Sequence, residues 1–167
     1  LGTTSVTEAD DAVLEVAAGL RDTCATPAEA LVQLGDWLRG HVKYESGTTD
    51  VSTTAAEVLR NGRGVCQDYA HLMIACLRSL GLPARYMSGY VRTGRHLQGE
   101  DASHAWVSVW CPVLGWQDFD PTNDARPTVD HVTLAWGRDY SDVTPVKGVA
   151  LGGGEQVINV SVAVAPE

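Results

Sequence analysis

The chain has 167 residues, 44% of them apolar and 20% charged, with a formal net charge of −9. A single domain of that length buries a core without cross-links. Acids outnumber bases 21 to 12, which argues against a protein that neutralises nucleic-acid phosphates and gives no reason to expect a membrane surface as partner. No apolar run reaches membrane-spanning length, and no signal-peptide pattern opens the chain. The four cysteines, Cys24, Cys66, Cys76 and Cys111, form no CxxC pair, so a zinc knuckle, a thioredoxin-type motif and a disulfide scaffold are all disfavoured. The expected setting is reducing and cytoplasmic. Leu1 stands where a Met would open a complete chain, so residues 1–167 are expected to be one domain of something longer, whose upstream part could carry a signal.

Taken in chain order, the first half reads as helical. Thr7 to Asp10 fits a capping box ahead of Val13, Leu14, Val16, Ala17 and Leu20 at helical spacing. Thr26-Pro27-Ala28-Glu29 is a stronger box, and its helix carries Leu31, Leu34, Trp37 and Leu38 and stops near Gly40. His41 to Tyr44 reads as a short extended piece, and Thr54 to Asn61 as a third, short helix. A fourth begins near Val65 or Cys66 and runs to Leu80, with Gly81 and Pro83 to end it. The second half is strand-like: 85–91, 104–110, 116–119, 132–136 and 157–164, with a polar loop over 94–103. Helices first and strands later predict an α+β domain with an antiparallel sheet.

Three residues carry nucleophilic chemistry. Cys66 follows Gly62-Arg63-Gly64-Val65 and sits in the first turn of its helix. There the free N–H groups and the dipole favour an anion, and the thiolate is the attacking form. The bland reading is that Cys66 is a small buried hydrophobe. His104 opens a strand after a polar loop, where it is either structural or a general base. Asp120, before Pro121, is either a turn former or the acid that orients His104. Register separates these readings. A regular four-residue turn pairing Cys111 with Trp116 would put His104 and Asp120 on opposite faces of the sheet. Their pairing therefore requires an odd-length connection or a bulge between Val109 and Phe119. A zinc site drawn from Cys66, His104, Asp120 and His96 or His71 lacks ligand-pair spacing; no metal and no cofactor is expected. His71 reads as a packing or surface histidine, Asp68 as a partner of the helix dipole, Cys76 as core and Trp106 as a cleft residue.

The segments Gly64-Val65-Cys66-Gln67-Asp68-Tyr69-Ala70-His71, Leu82-Pro83-Ala84-Arg85-Tyr86, Ser103-His104-Ala105-Trp106-Val107 and Phe119-Asp120-Pro121-Thr122-Asn123 resemble, in that order, the bacterial transglutaminase-like superfamily. The resemblance runs from about Leu31 to Val164. It implies a papain-like fold, with the nucleophile on a central helix packed against an antiparallel sheet. It also implies Cys66 as nucleophile, His104 as base and Asp120 rather than Asp118 as orienting acid. Tyr44, Gln67 and Trp106 become candidates for the oxyanion or substrate cleft. The implied reaction is thiol-dependent acyl transfer or hydrolysis on a peptide or side-chain amide of a peptide or protein substrate, with peptidase or amidase action favoured over cross-linking. The alternative is a non-catalytic peptide-binding or structural module. An upstream β-rich domain of the same protein is a further expected partner.

Overall fold

A computed structural model describes residues 2–92, 97–98, 103–145 and 164. Helix α1 (Asp11–Arg21) starts at Asp10, whose carboxylate accepts the Val13 N–H at 3.0 Å. The start expected at Thr7 is displaced because Thr7 is occupied elsewhere. Its hydroxyl meets that of Thr4 at 2.8 Å and accepts from Arg78 Nη1 at 2.9 Å, and residues 5–7 form a 3-10 turn. Helix α2 (Pro27–His41) has proline in its first turn and Thr26 as its cap, accepting from Glu29 N–H at 3.2 Å. Helix α3 (Ala55–Asn61) carries a reciprocal Thr54–Glu57 box.

Two very short strands, β1 (Lys43–Tyr44) and β2 (Arg63–Gly64), pair in parallel and bring the end of α2 beside the start of α4 (Cys66–Ser79). The short extended piece read at 41–44 contains β1; nothing in the sequence announces its partner β2, since two residues have no period. Helix α4 is central: Leu72, Met73, Ile74, Ala75, Cys76 and Leu77 are all buried. Burial without a partner pushes the Cys76 thiol up to about 12, as suits a core cysteine.

Against α4 lies an antiparallel sheet in the order β5-β4-β3-β6, formed by β3 (Ala84–Val91), β4 (His104–Cys111), β5 (Gly115–Phe119) and β6 (His131–Gly137). Ala84, Tyr86, Ala105, Val107, Val109 and Phe119 share one apolar cluster with α4. Alternation along β4 turns His104 and Trp106 to the other face. The strand expected at 157–164 lies, apart from Val164, outside the described residues, as does most of the 94–103 loop. Among the described residues no helix is long and apolar enough to cross a membrane.

The register condition is met. Cys111 pairs with Gly115, not Trp116, so the β4–β5 connection is the three residues 112–114. Val107 pairs with Phe119, and continuing that ladder sets Asp120 opposite Trp106, on the face that His104 shares.

Candidate active site

The start of α4 is held from below. Asp68, buried in the first turn, accepts the Val65 N–H at 2.7 Å and the Thr49 hydroxyl at 2.6 Å on the same oxygen. A Cβ on Gly64 would lie 2.6 Å from that side chain, so only glycine lets the carboxylate fold back beneath the turn. Gln67 Nε2 reaches the Asp50 carbonyl at 3.5 Å, which adds a second tie to the 45–54 loop. These contacts fix Cys66 at the first helical position, where the N–H groups have no intrahelical acceptor.

Cys66 is 8% exposed and opens on a cavity of about 150 Å³, lined also by Gln67, Tyr86, Ser88, His104 and Tyr140. A second cavity, of about 160 Å³, has Cys24 in its wall but neither an imidazole nor a carboxylate, so it lacks the groups for nucleophilic chemistry.

His104 and Asp120 are both buried, with Nε2 of the ring 2.7 Å from Oδ2 of the carboxylate. The other ring nitrogen, Nδ1, is buried and makes no regular hydrogen bond among the described residues. It is the nitrogen left for Cys66, across the shared cavity. Burial pulls the His104 imidazolium down. The Asp120 hydrogen bond and charge, together with the Cys66 thiolate, outweigh that pull and lift it to about 10. Burial would raise Asp120, but hydrogen bonds from His104, His131 and Asn123 hold it well below the usual carboxylate range.

Asp120 is also a turn former. Its Oδ1 accepts the N–H groups of Thr122 at 3.0 Å and Asn123 at 3.2 Å, and its backbone bridges to Ala125. Oδ1 thus closes the turn while Oδ2 bonds the His104 ring. Asp118 instead sits within β5 opposite Ser108, close enough to Arg85 to bias its charge.

The remaining candidates divide. Gln67 lines the cavity. Tyr44 is close enough to feel the cluster: desolvation first, then the Cys66 and Asp120 charges, push its phenol up to about 12, so it stays a protonated donor. Trp106, expected in the cleft, is instead fully buried, with ring centroids 6.1 Å from His104 and 5.4 Å from His131. It forms the wall behind the imidazole. Gly89 makes room for it, since a Cβ there would lie 2.7 Å from the Trp106 ring and 2.0 Å from the Val132 carbonyl. His71 is fully buried and accepts the Tyr140 N–H at 3.2 Å on Nε2.

Two residues of the cluster were not anticipated. Asn123 donates to Asp120 Oδ2 at 2.8 Å, and His131 Nε2 lies 3.2 Å from the same oxygen. One signal for His131 exists in the sequence: like His104, it stands at the head of an aromatic and β-branched run. The ligand atoms of His104, Asp120 and His131 fall within 4.8 Å of one another, a donor set that suits a divalent cation. All three atoms are already engaged in hydrogen bonds, and a cation would have to displace the proton that His104 holds so firmly.

Comparison with known proteins bears on the family and the fold. Residues 14–121 match the family described as the transglutaminase-like superfamily. An uncharacterized protein of Mycobacterium leprae is 40% identical over 144 residues, covering 83% of this chain and 50% of that protein. One from Mycobacterium tuberculosis is 43% identical over 169 aligned residues, covering 95% and 54%. The chain thus spans about half the length of these curated relatives. A shorter match, 39% identical over 70 residues and covering 38% of this chain and 10% of the other, is to a protein-glutamine gamma-glutamyltransferase of Pseudomonas aeruginosa. Among solved structures, a candidate cysteine protease from Cytophaga hutchinsonii superposes with a TM-score of 0.72 at 28% identity, over 86% of this chain and 47% of that one. By matched residues, overall similarity and fold, the chain belongs to the transglutaminase-like superfamily.

Proposed function

We propose that this domain is a thiol acyl-transfer enzyme of the peptidase or amidase type, acting through Cys66, His104 and Asp120. The observation that carries the reading is the buried 2.7 Å bond between His104 and Asp120, which leaves Nδ1 facing the cavity that holds Cys66. The Cys66 proton rests on His104, and the imidazolium is stabilised by Asp120 on one side and the sulfur on the other. The sulfur attacks an amide carbon, and the Cys66 N–H at the helix start, with Tyr44 as a second donor, faces the developing oxyanion. Collapse breaks the C–N bond as His104 delivers its proton to the departing amine, leaving a thioester on Cys66. Water, deprotonated by His104, then attacks the thioester, releasing the carboxylate and restoring the thiol.

The test compares wild type and Cys66→Ala on peptide and protein substrates, following ammonia or amine release beside incorporation of an added amine. Release without incorporation, lost in Cys66→Ala, is the expected result. Incorporation in preference to release would reassign the acceptor to an amine. Activity that survives Cys66→Ala would overturn the mechanism.

A further inference from the structure

His131 belongs to no part of the mechanism just given, yet its placement is constrained on every side. It opens β6, pairs with Val91 at the end of β3, and gives its backbone N–H to the Thr128 carbonyl at 3.0 Å. Just before it, Asp130 accepts the Arg92 backbone N–H at 2.8 Å and meets the Arg92 guanidinium at 3.3 Å. The His131 side chain is 4% exposed. Its ring stands edge-on to Trp106, with centroids 5.4 Å apart at 84°, while Trp106 stacks at 29° on His104. One indole therefore sets the attitude of both imidazoles, and both direct Nε2 to the same oxygen of Asp120, at 2.7 and 3.2 Å.

A carboxylate with two oxygens can rotate about its last bond unless both ends are held. Oδ1 of Asp120 is held by two backbone N–H groups of the following turn. Oδ2 is the end that serves His104, and the donors that hold it from the far side are His131 and Asn123. An acceptor cannot orient an acceptor, so His131 acts in the tautomer that carries hydrogen on Nε2. Its Nδ1 is buried without a partner among the described residues, which fits a ring retained for the donor at its other nitrogen.

We infer that His131 is a positioning residue of the Cys66 site: a second imidazole that donates to Asp120 Oδ2 and keeps the carboxylate aimed at His104. It touches neither the thiol nor a substrate. The inference rests on the proposed Cys66–His104–Asp120 chemistry and extends it by one member on β6.

Two replacements separate this role from packing. His131→Phe keeps a ring against Trp106 and removes the donor. His131→Gln removes the ring and keeps an N–H at the length of Nε2. The readout is the alkylation rate of Cys66 by iodoacetamide at neutral pH, located by peptide mapping, with Asp120→Asn as reference and folding checked by circular dichroism. The expected result is a ~10-fold slower reaction in His131→Phe, the size of one lost hydrogen bond to a charge, with substantial recovery in His131→Gln. A wild-type rate in His131→Phe, or equal losses in both variants, overturns the positioning role. If Asp120→Asn slows alkylation while His131→Phe does not, the inference fails and the proposed chemistry stands. If neither change has an effect, the reading of the Cys66 site fails, and the inference with it.

Discussion

His71 and His104 are the same side chain at the same depth, 0% and 1% exposed, and the protein drives them in opposite directions. Burial dominates at His71. The Asp139 charge only partly offsets it, Arg78 reinforces it, and the ring falls to about 4. Its Nε2 accepts the Tyr140 N–H, a bond that only the neutral ring makes. Burial is also the largest single influence at His104, but a carboxylate in bonding contact and the Cys66 thiolate reverse it and lift the ring to about 10. Depth therefore does not set the charge of a buried imidazole. A bonded anion does, and only one of the two regions supplies it.

The largest effect that sharpens this contrast is expected from Asp120→Asn. The amide can keep the turn bonds but cannot stabilise an imidazolium, so turnover should fall on the order of 10⁴-fold. The His104 titration, followed by NMR, should move down from about 10 toward and below its ordinary range. A His104 that still titrates near its wild-type value would break the comparison.

The next effect is in stability. His71 has a folded value of about 4 against 6.5 when unfolded, so between those values the unfolded chain binds the extra proton. Its contribution is fully present above 6.5 and is lost as pH falls to about 4, worth ~3 kcal/mol. His104 has the opposite sign: its contribution is complete below 6.5 and is lost as pH rises through about 10. Urea midpoints measured across both windows should form a dome, and His71→Gln should flatten the acid side alone.

The smallest effect is expected from Asp139→Asn. It removes the charge that partly offsets burial at His71, while an amide oxygen can still accept from Ser141, as the carboxylate does at 2.7 Å. The acid slope should move slightly to lower pH, and His104 should not change; an NMR titration of both rings checks this.

The legible parts of this molecule are those that repeat or that bind locally. Helices α2 and α3 announce themselves through caps whose partners lie three residues away. The parity of the β4–β5 connection follows from counting outward from His104 and Asp120. Thr7 misleads because three nearby side chains, Thr4, Thr7 and Asp10, could each cap, and a guanidinium from α4, 71 residues away, decides among them. Trp106 misleads in another way: alternation gives its face but not what covers that face. His131 stays hidden because its partner oxygen belongs to another strand end, 11 residues back, whereas Asn123, three residues from Asp120, is a local partner that the Asp120–Asn123 segment already contains. The β2 partner stays hidden because what fixes it is the contact of Gly64 with Asp68, a residue outside the strands.

The tip of the β4–β5 hairpin invites editing, since Val113 and Leu114 are exposed at 88% and 62% and such tips usually accept insertions. Here the tip also keeps a count. A single added residue, taken up by sliding β5 one place along β4, would turn every β5 side chain over and carry Asp120 to the face away from His104. Two added residues would restore the original facing. A protein engineer grafting a tag or a binding loop at 112–114 would thus meet an odd–even rule, with a disconnected histidine and a Phe119 turned out of the core as the mark of the wrong parity.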